Sequence, residues 1–280
     1  MIVIAGMPIP AHAPGLAELD GAERHVFDAK YRSPQVYSYP TMEDLQFELA
    51  ARSRIADAAV ALERSGAVFE NFSDSYANPR YWDRTGQGGF LLKRGVAPAD
   101  AINDIFYNGR LYGFECATAV IIVLYKGILD VIGPGPFNRL FGGLYLYSWE
   151  HDNDLRLITR ENVPETFIGD ILYVRNPDYD PKTPEWQGEN LIKLGDDRYF
   201  GHGIGIGSVQ YFIRSLNENR KPGSTRSAYL MNQATYPDYP ALRRLAFPQS
   251  GMPSVPFYFG RSPDETVIRI GSRIRVIGAS

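Results

Sequence analysis

The chain of 280 residues has a single cysteine, Cys116. No intramolecular disulfide can form, so nothing demands an oxidising compartment and cytoplasmic synthesis is expected. Excess charge of one sign is also missing: 29 Lys and Arg against 32 Asp and Glu leave a formal net charge of -3. That balance gives no broad electrostatic reason for a nucleic acid or an anionic membrane as partner. Long hydrophobic runs are absent too. The strongest, ATAVIIVLY from Ala117 to Tyr125, stops at Lys126 and is about half the length needed to cross a bilayer, so a buried helix is expected there. The opening MIVIAGMPIPAHAPGLAELD has no basic segment and is broken by Pro8, Pro10 and Pro14, which argues against a signal peptide. His12, His25, His151 and His202 lack metal-ligand spacing, and no EF-hand loop or carboxylate cage is visible. Neither calcium nor zinc is expected, and no cofactor is implied.

What is present is a core: 44% hydrophobic and 13% aromatic residues suffice for one large domain or two small ones. MIVIAG fits a short strand, and residues 7 to 40 read as proline-punctuated and irregular. From Thr41 to about Gly66 the pattern turns helical, with a threonine N-cap, acids in the first turn and a closing glycine. Further helices are expected from Ala97 to Tyr107, and from near Glu115 to about Ile132, where GPGP at 133 to 136 stops the last one. Beyond this the period becomes two. Segments 143 to 149, 155 to 159, 170 to 176, 189 to 195 and 198 to 206 read as strands, followed by helices at 209 to 220 and 239 to 247. The tail TVIRIGSRIRVIGAS alternates about Gly271-Ser272, as a hairpin with a two-residue turn would. Helices first and an antiparallel sheet second predict an α+β fold.

The chemistry centres on GFECATAV, residues 113 to 120. A thiol in the first turn of a helix meets unpaired N–H groups and the positive end of the helix dipole, which lower its pKa and suit a nucleophile. A buried apolar helix is equally an ordinary place for a structural cysteine. Glu115 beside it is at once a helix-start preference and a potential acid-base group. His202, in YFGHGIGIG, has glycine neighbours that allow close approach. Glu189 opens the preceding strand, and counting outward from the turn around Gly195-Asp196-Asp197 places it nearly opposite His202, on the same face.

Several motifs in order carry a family resemblance: FECATA (114 to 119), YANPRYW (76 to 82), GDILYVRNPDYDP (169 to 181), WQGENLIKLGDDRYFGHGIGI (186 to 206) and SAYLMNQAT (227 to 235). The chain resembles the spore-coat protein-glutamine gamma-glutamyltransferases, small calcium-independent bacterial transglutaminases. The resemblance implies a papain-like, NlpC-P60-like cysteine enzyme core, with the Cys-bearing helix packed on a mainly antiparallel sheet. It assigns residues 1 to 245 to one transglutaminase domain and leaves 246 to 280 as an extension with no inherited role. In that tail Arg269, Arg273 and Arg275 alternate with Val and Ile, and a hairpin packed on the domain is expected.

By the same resemblance, Cys116 is the nucleophile, Glu189 the catalytic carboxylate, His202 the active-site histidine, and Glu115 an acid able to substitute in part for Glu189. Phe69, Trp149 and Trp186, close to matched motifs, are candidates for the dry walls that protect a thioester from water, and each is equally readable as a core aromatic. The implied partners are spore-coat proteins bearing Gln and Lys, acted on by a monomer in the mother-cell cytoplasm and then at the coat. Two rivals remain: a cysteine amidase or peptidase of the same fold that uses water, and a non-catalytic structural coat protein with a vestigial site.

Overall fold

The computed structural model describes residues 1–19 and 21–248, and the backbone of 265–270 and 273–278. Seven helices occur among the described residues: α1 (Gly21–Arg32), α2 (Met42–Ser65), α3 (Pro98–Tyr107), α4 (Cys116–Ile132), α5 (Pro134–Leu140), α6 (Val209–Glu218) and α7 (Tyr239–Ala246).

The ends of α2 follow the sequence signals. The Thr41 side chain accepts from the Asp44 N–H, and Gly66 closes the helix in the left-handed region at φ 87. Pro98 opens α3, where its missing N–H costs nothing. Two helices depart from expectation. Helix α1 lies inside the stretch expected to be irregular. Val26 and Phe27 are its only buried large apolar residues, too few to set a period, and the ion pairs of Asp28 with Arg24 and Arg32 supply part of its support. The GPGP segment ends α4 at Gly133 but also starts α5, with Pro134 in the first turn. A proline that terminates one helix is an acceptable first residue of the next.

Strands Gly205–Gly207, Arg198–Gly201, Gly188–Gly195, Ile171–Arg175, Gln233–Pro237, Leu157–Glu161, Arg273–Gly278 and Glu265–Ile270 lie side by side in that order, and Tyr229–Leu230 also pairs with Ile171–Arg175. Pairing is antiparallel throughout except that Arg273–Gly278 runs parallel to Leu157–Glu161. The expected strand at 143 to 149 shrinks to Tyr145–Leu146, in a separate small sheet. The expected strand at 198 to 206 splits in two, with His202 in the turn between the halves. The turn residues Gly271 and Ser272 and the tail's side chains lie outside the described residues.

Period-two alternation gives this sheet two dry faces. Ile171, Ile192 and Phe200 join the main core with α2, α3 and α4. Leu172, Val174, Leu191 and Tyr199 pack on Phe212 and Leu216 of α6. Helix α4 is buried on nearly every side; it is not an ordinary amphipathic surface helix. No helix among the described residues is long and apolar enough to cross a membrane.

A buried ionic cluster fastens α1 and α2 to the sheet. Glu48 Oε1 accepts from Lys30 Nζ at 2.5 Å and from Arg52 Nε at 2.7 Å, and Arg52 reaches Asp170 Oδ1 at 2.6 Å. Burial alone would raise the Glu48 carboxyl, but the Lys30 and Arg52 charges outweigh it and hold it at about 2.

Candidate active site

Cys116 is the first residue of α4, and Glu115 is the N-cap. The Glu115 side chain accepts from both of its next two neighbours: from the Ala117 N–H at 2.8 Å through Oε2 and from the Cys116 thiol at 2.9 Å through Oε1. One carboxylate therefore caps the helix and holds the thiol. Asn190, two places along the strand Gly188–Gly195, adds a second contact, its Nδ2 donating to Cys116 Sγ at 3.5 Å.

The sulfur's environment overturns one expectation. The helix terminus was to depress the thiol pKa, yet Cys116 is only 4% exposed and is pushed well above its ordinary value. Burial is the main cause, followed by the negative charges of Glu189 and Glu115, and the Asn190 amide opposes them only weakly. A first-turn dipole contributes about 1 kcal/mol in exposed settings; two carboxyls in a dry site outweigh it. The resting nucleophile is a protonated thiol.

Glu189 is buried, and its pKa is likewise pushed well up, by desolvation and then by Glu115, against a hydrogen bond from the His202 backbone N–H. Its Oε1 has no hydrogen-bond partner among the described residues. The register explains where this side chain goes. Leu191 pairs with Gly201, so counting on aligns Asn190, not Glu189, with His202. Glu189 instead lies over Gly201, where a Cβ would come within 3.0 Å of Glu189 Oε1 and 2.7 Å of Phe212 Cε1. The expected near-opposite pairing of Glu189 and His202 is thus off by one residue, a step that matters because successive side chains on a strand point to opposite faces.

His202 is placed differently from the sequence reading. Its ring stacks on Phe114 at 4.8 Å, and Nε2 lies 3.2 Å from the Val68 carbonyl oxygen. Burial takes its pKa down to about 4, against the pull of the Val68 and Phe114 carbonyls, so the imidazole is neutral. These contacts tie the ring to the backbone beside Cys116, and its main-chain N–H reaches Glu189.

The three aromatic candidates come from three separate segments: a two-residue strand, a turn and a short 3-10 helix. Phe69 lies in Val68–Phe69, which pairs in parallel with Gly113–Phe114 just before the cysteine, and sits under the His202 turn, 2.8 Å from where a Gly203 Cβ would be. Trp149 packs on the main core. The Ser148 before it adopts φ 50, strained for a residue with a side chain, while its N–H donates to Thr118 Oγ1 on the first turn of α4. Trp186 packs on the α6 side of the sheet, two residues before Gly188.

Two residues of the site escaped the sequence reading. Asn190 reaches the sulfur, and Tyr173, its partner across the ladder, is pushed up to about 12 by burial and then by the charges of Cys116 and Glu189. Tyr173 and Asn190 share the α4 face of the sheet by the same alternation that points Ile171 and Ile192 there; that parity was the available signal.

The assembled chemistry is a buried thiol with two carboxyl groups in electrostatic reach, one of them unusually basic. The chain as a whole is similar to known proteins. Residues 1–246 match the family model described as protein-glutamine gamma-glutamyltransferase. A protein of that name from Bacillus mycoides (strain KBAB4) is 44% identical over 223 residues, covering 80% of each chain. One from Bacillus cereus (strain AH820) is 42% identical over 242 residues, 86% of this chain and 87% of the relative. A solved transglutaminase from Geobacillus stearothermophilus, described as without its C-terminal extension, superposes with a TM-score of 0.71 at 47% identity over 75% of this chain and 100% of that one. By the family match over residues 1–246 and by relatives 42% and 44% identical, the chain belongs to the protein-glutamine gamma-glutamyltransferases, that is, to the transglutaminases.

Proposed function

We propose that the protein joins a protein glutamine to a lysine through a Cys116 thioester, and that Glu115 and Glu189 divide the proton work. The observation that carries this is the 2.9 Å contact of the Cys116 thiol with Glu115, beside a second carboxyl, Glu189, that burial and the Glu115 charge make hold its proton more tightly than an ordinary carboxyl. Environments that separate two carboxyls in this way assign one as base and one as acid. Glu115 takes the thiol proton as sulfur attacks the γ-carboxamide carbon. When the tetrahedral intermediate collapses, Glu189 gives its proton to the departing nitrogen, ammonia leaves, and the thioester remains. The now ionised Glu189 attracts a lysine ammonium and takes its proton; the free amine attacks the thioester, its remaining excess proton passes to the departing Sγ as the carbon–sulfur bond breaks, an isopeptide bond forms, and Glu115 releases the proton it took from the thiol to the solvent. The neutral, backbone-held His202 supports this arrangement as a positioning residue.

The wider reading follows from the family resemblance: a papain-like core in residues 1–245, calcium-independent turnover, a monomer, and spore-coat proteins as substrates in the mother cell and at the coat. Phe69, Trp149 and Trp186 are the proposed water-excluding walls.

Mass spectrometry of a glutamine peptide incubated with a primary amine, in the presence of a calcium chelator, tests the central step. Wild type is expected to add the amine with loss of ammonia, and Cys116→Ala to lose at least about 10³-fold of that rate, the order seen when a nucleophile is removed. Cross-linking by the alanine variant would end the proposal. Conversion of glutamine to glutamate alone would mark an amidase, and no change would leave the structural coat protein.

A further inference from the structure

Attack on a carboxamide places negative charge on an oxygen about 3 Å from the attacking sulfur, and a dry site must supply hydrogen-bond donors there before the charge appears. Among the described residues, the side chains hydrogen-bonded to Cys116 Sγ are Glu115, an acceptor, and Asn190, a donor. Glu115 is an acceptor occupied by the Ala117 N–H and the thiol. The Ala119 N–H is already used on the Glu115 carbonyl. His202 is turned to backbone oxygens. The N–H of Cys116 itself, at the first helical position, has no intrahelical acceptor and is one donor. A second is required to fix the oxygen's position.

Asn190 meets the requirement. Its Nδ2 lies 3.5 Å from Cys116 Sγ, and the residue is 6% exposed. It is the third residue of an eight-residue strand and is paired directly with Tyr173 on one side, while the ladder to Arg198–Gly201 on the other side begins at the next residue, Leu191. The amide carries two N–H bonds, so one can stay on the sulfur while the other meets an incoming oxygen. Being neutral, it donates at every working pH and needs no reorganisation as charge develops.

We propose that Asn190 is the side-chain half of the oxyanion hole, acting with the backbone N–H of Cys116. As the Sγ–carbon bond forms, the carbonyl π pair moves onto oxygen and is held by these two donors without proton transfer. On collapse the carbonyl reforms, the carbon–nitrogen bond breaks, and the donors let go. This rests on the acyl-transfer reading of Cys116, but not on whether lysine or water completes the reaction.

The test compares ammonia release from a glutamine peptide with iodoacetamide alkylation of Cys116, in wild type, Asn190→Ala and Asn190→Ser. Displacement of iodide at a saturated carbon forms no oxyanion, whereas acylation does. The expected result is a fall in kcat of about 10²–10³-fold for ammonia release, with KM and the alkylation rate within about threefold of wild type. Equal losses in alkylation and ammonia release would overturn the proposal and make Asn190 a thiol-activating residue. An unchanged kcat, or loss of a cooperative melt in both variants, would overturn it as well. Wild-type release of ammonia without amine incorporation would sink the transferase reading and leave the Asn190 comparison intact.

Discussion

Glu189 Oε1 is a buried oxygen with no hydrogen bond among the described residues, and its carboxyl holds its proton to a higher pH than the ordinary 4.5. The folded protein therefore binds that proton more tightly than the unfolded chain. The resulting stability is full below about pH 4.5 and is lost as pH rises toward the raised native value. Glu189→Gln, neutral at every pH and close in shape, escapes that loss. The variant should melt with wild type near pH 4.5 and above it at pH 8 by roughly 2–4 °C for each kcal/mol relieved, while amine incorporation falls about 10²-fold or more. Coincident melts at pH 8 would show that Glu189 is not under this strain. At this scale the sequence located the nucleophile and its neighbour well, because a lone cysteine after a glutamate at a helix start is visible as such. It misjudged the thiol's ionisation, since burial by distant segments leaves no mark on residues 113 to 120. Asn190 was missed for another reason: strand parity puts it on the α4 face with Ile192, but a single neutral amide carries no chemical signature until a sulfur is placed beside it.

Helix α4, which carries the thiol, lies against α2 with Gly127 at the contact. A Cβ there would stand 2.6 Å from Ile55 Cγ1 and 2.8 Å from its Cα, a clash with backbone that no rotamer change relieves. Gly127→Ala gains about 1 kcal/mol of helix propensity and costs about 1–3 kcal/mol of overpacking. The clash wins, and a melting temperature lower by roughly 2–8 °C is expected; calorimetry giving an equal or higher value would mean that the helices slide apart freely. The long helices were legible in the chain because Thr41, Gly66, Pro98 and Gly133 mark their ends. Helix α1 was not, since its two buried apolar residues make no period and its remaining support, the Lys30 link to Glu48, comes from a residue 18 positions away. The strand at 198 to 206 was read as one because its alternation continues through His202 while the backbone turns.

In the whole molecule, the strand Leu157–Glu161 is completed on one side by the parallel strand Arg273–Gly278, beyond the 246 residues of the family match. Truncation after Pro248 leaves that side bare, and an unpaired edge invites pairing with another chain. Light scattering of the truncated protein should show concentration-dependent association together with a lowered melt; a monodisperse solution with an unchanged melt would count against the pairing. The general order of helices before sheet was readable from the change of period, whereas the parallel direction of the last strand was not, because pairing partners more than 100 residues apart share no local pattern. The same separation governs the chemistry. Cys116 and Asn190 meet across 74 residues of chain. A growing chain that has just released its cysteine has not yet made Glu189 or Asn190, and its thiol is an ordinary one. Competence for acyl transfer thus arrives with the docking of the sheet on α4, which makes folding itself the timer of the reaction and leaves a misfolded copy chemically silent rather than indiscriminate.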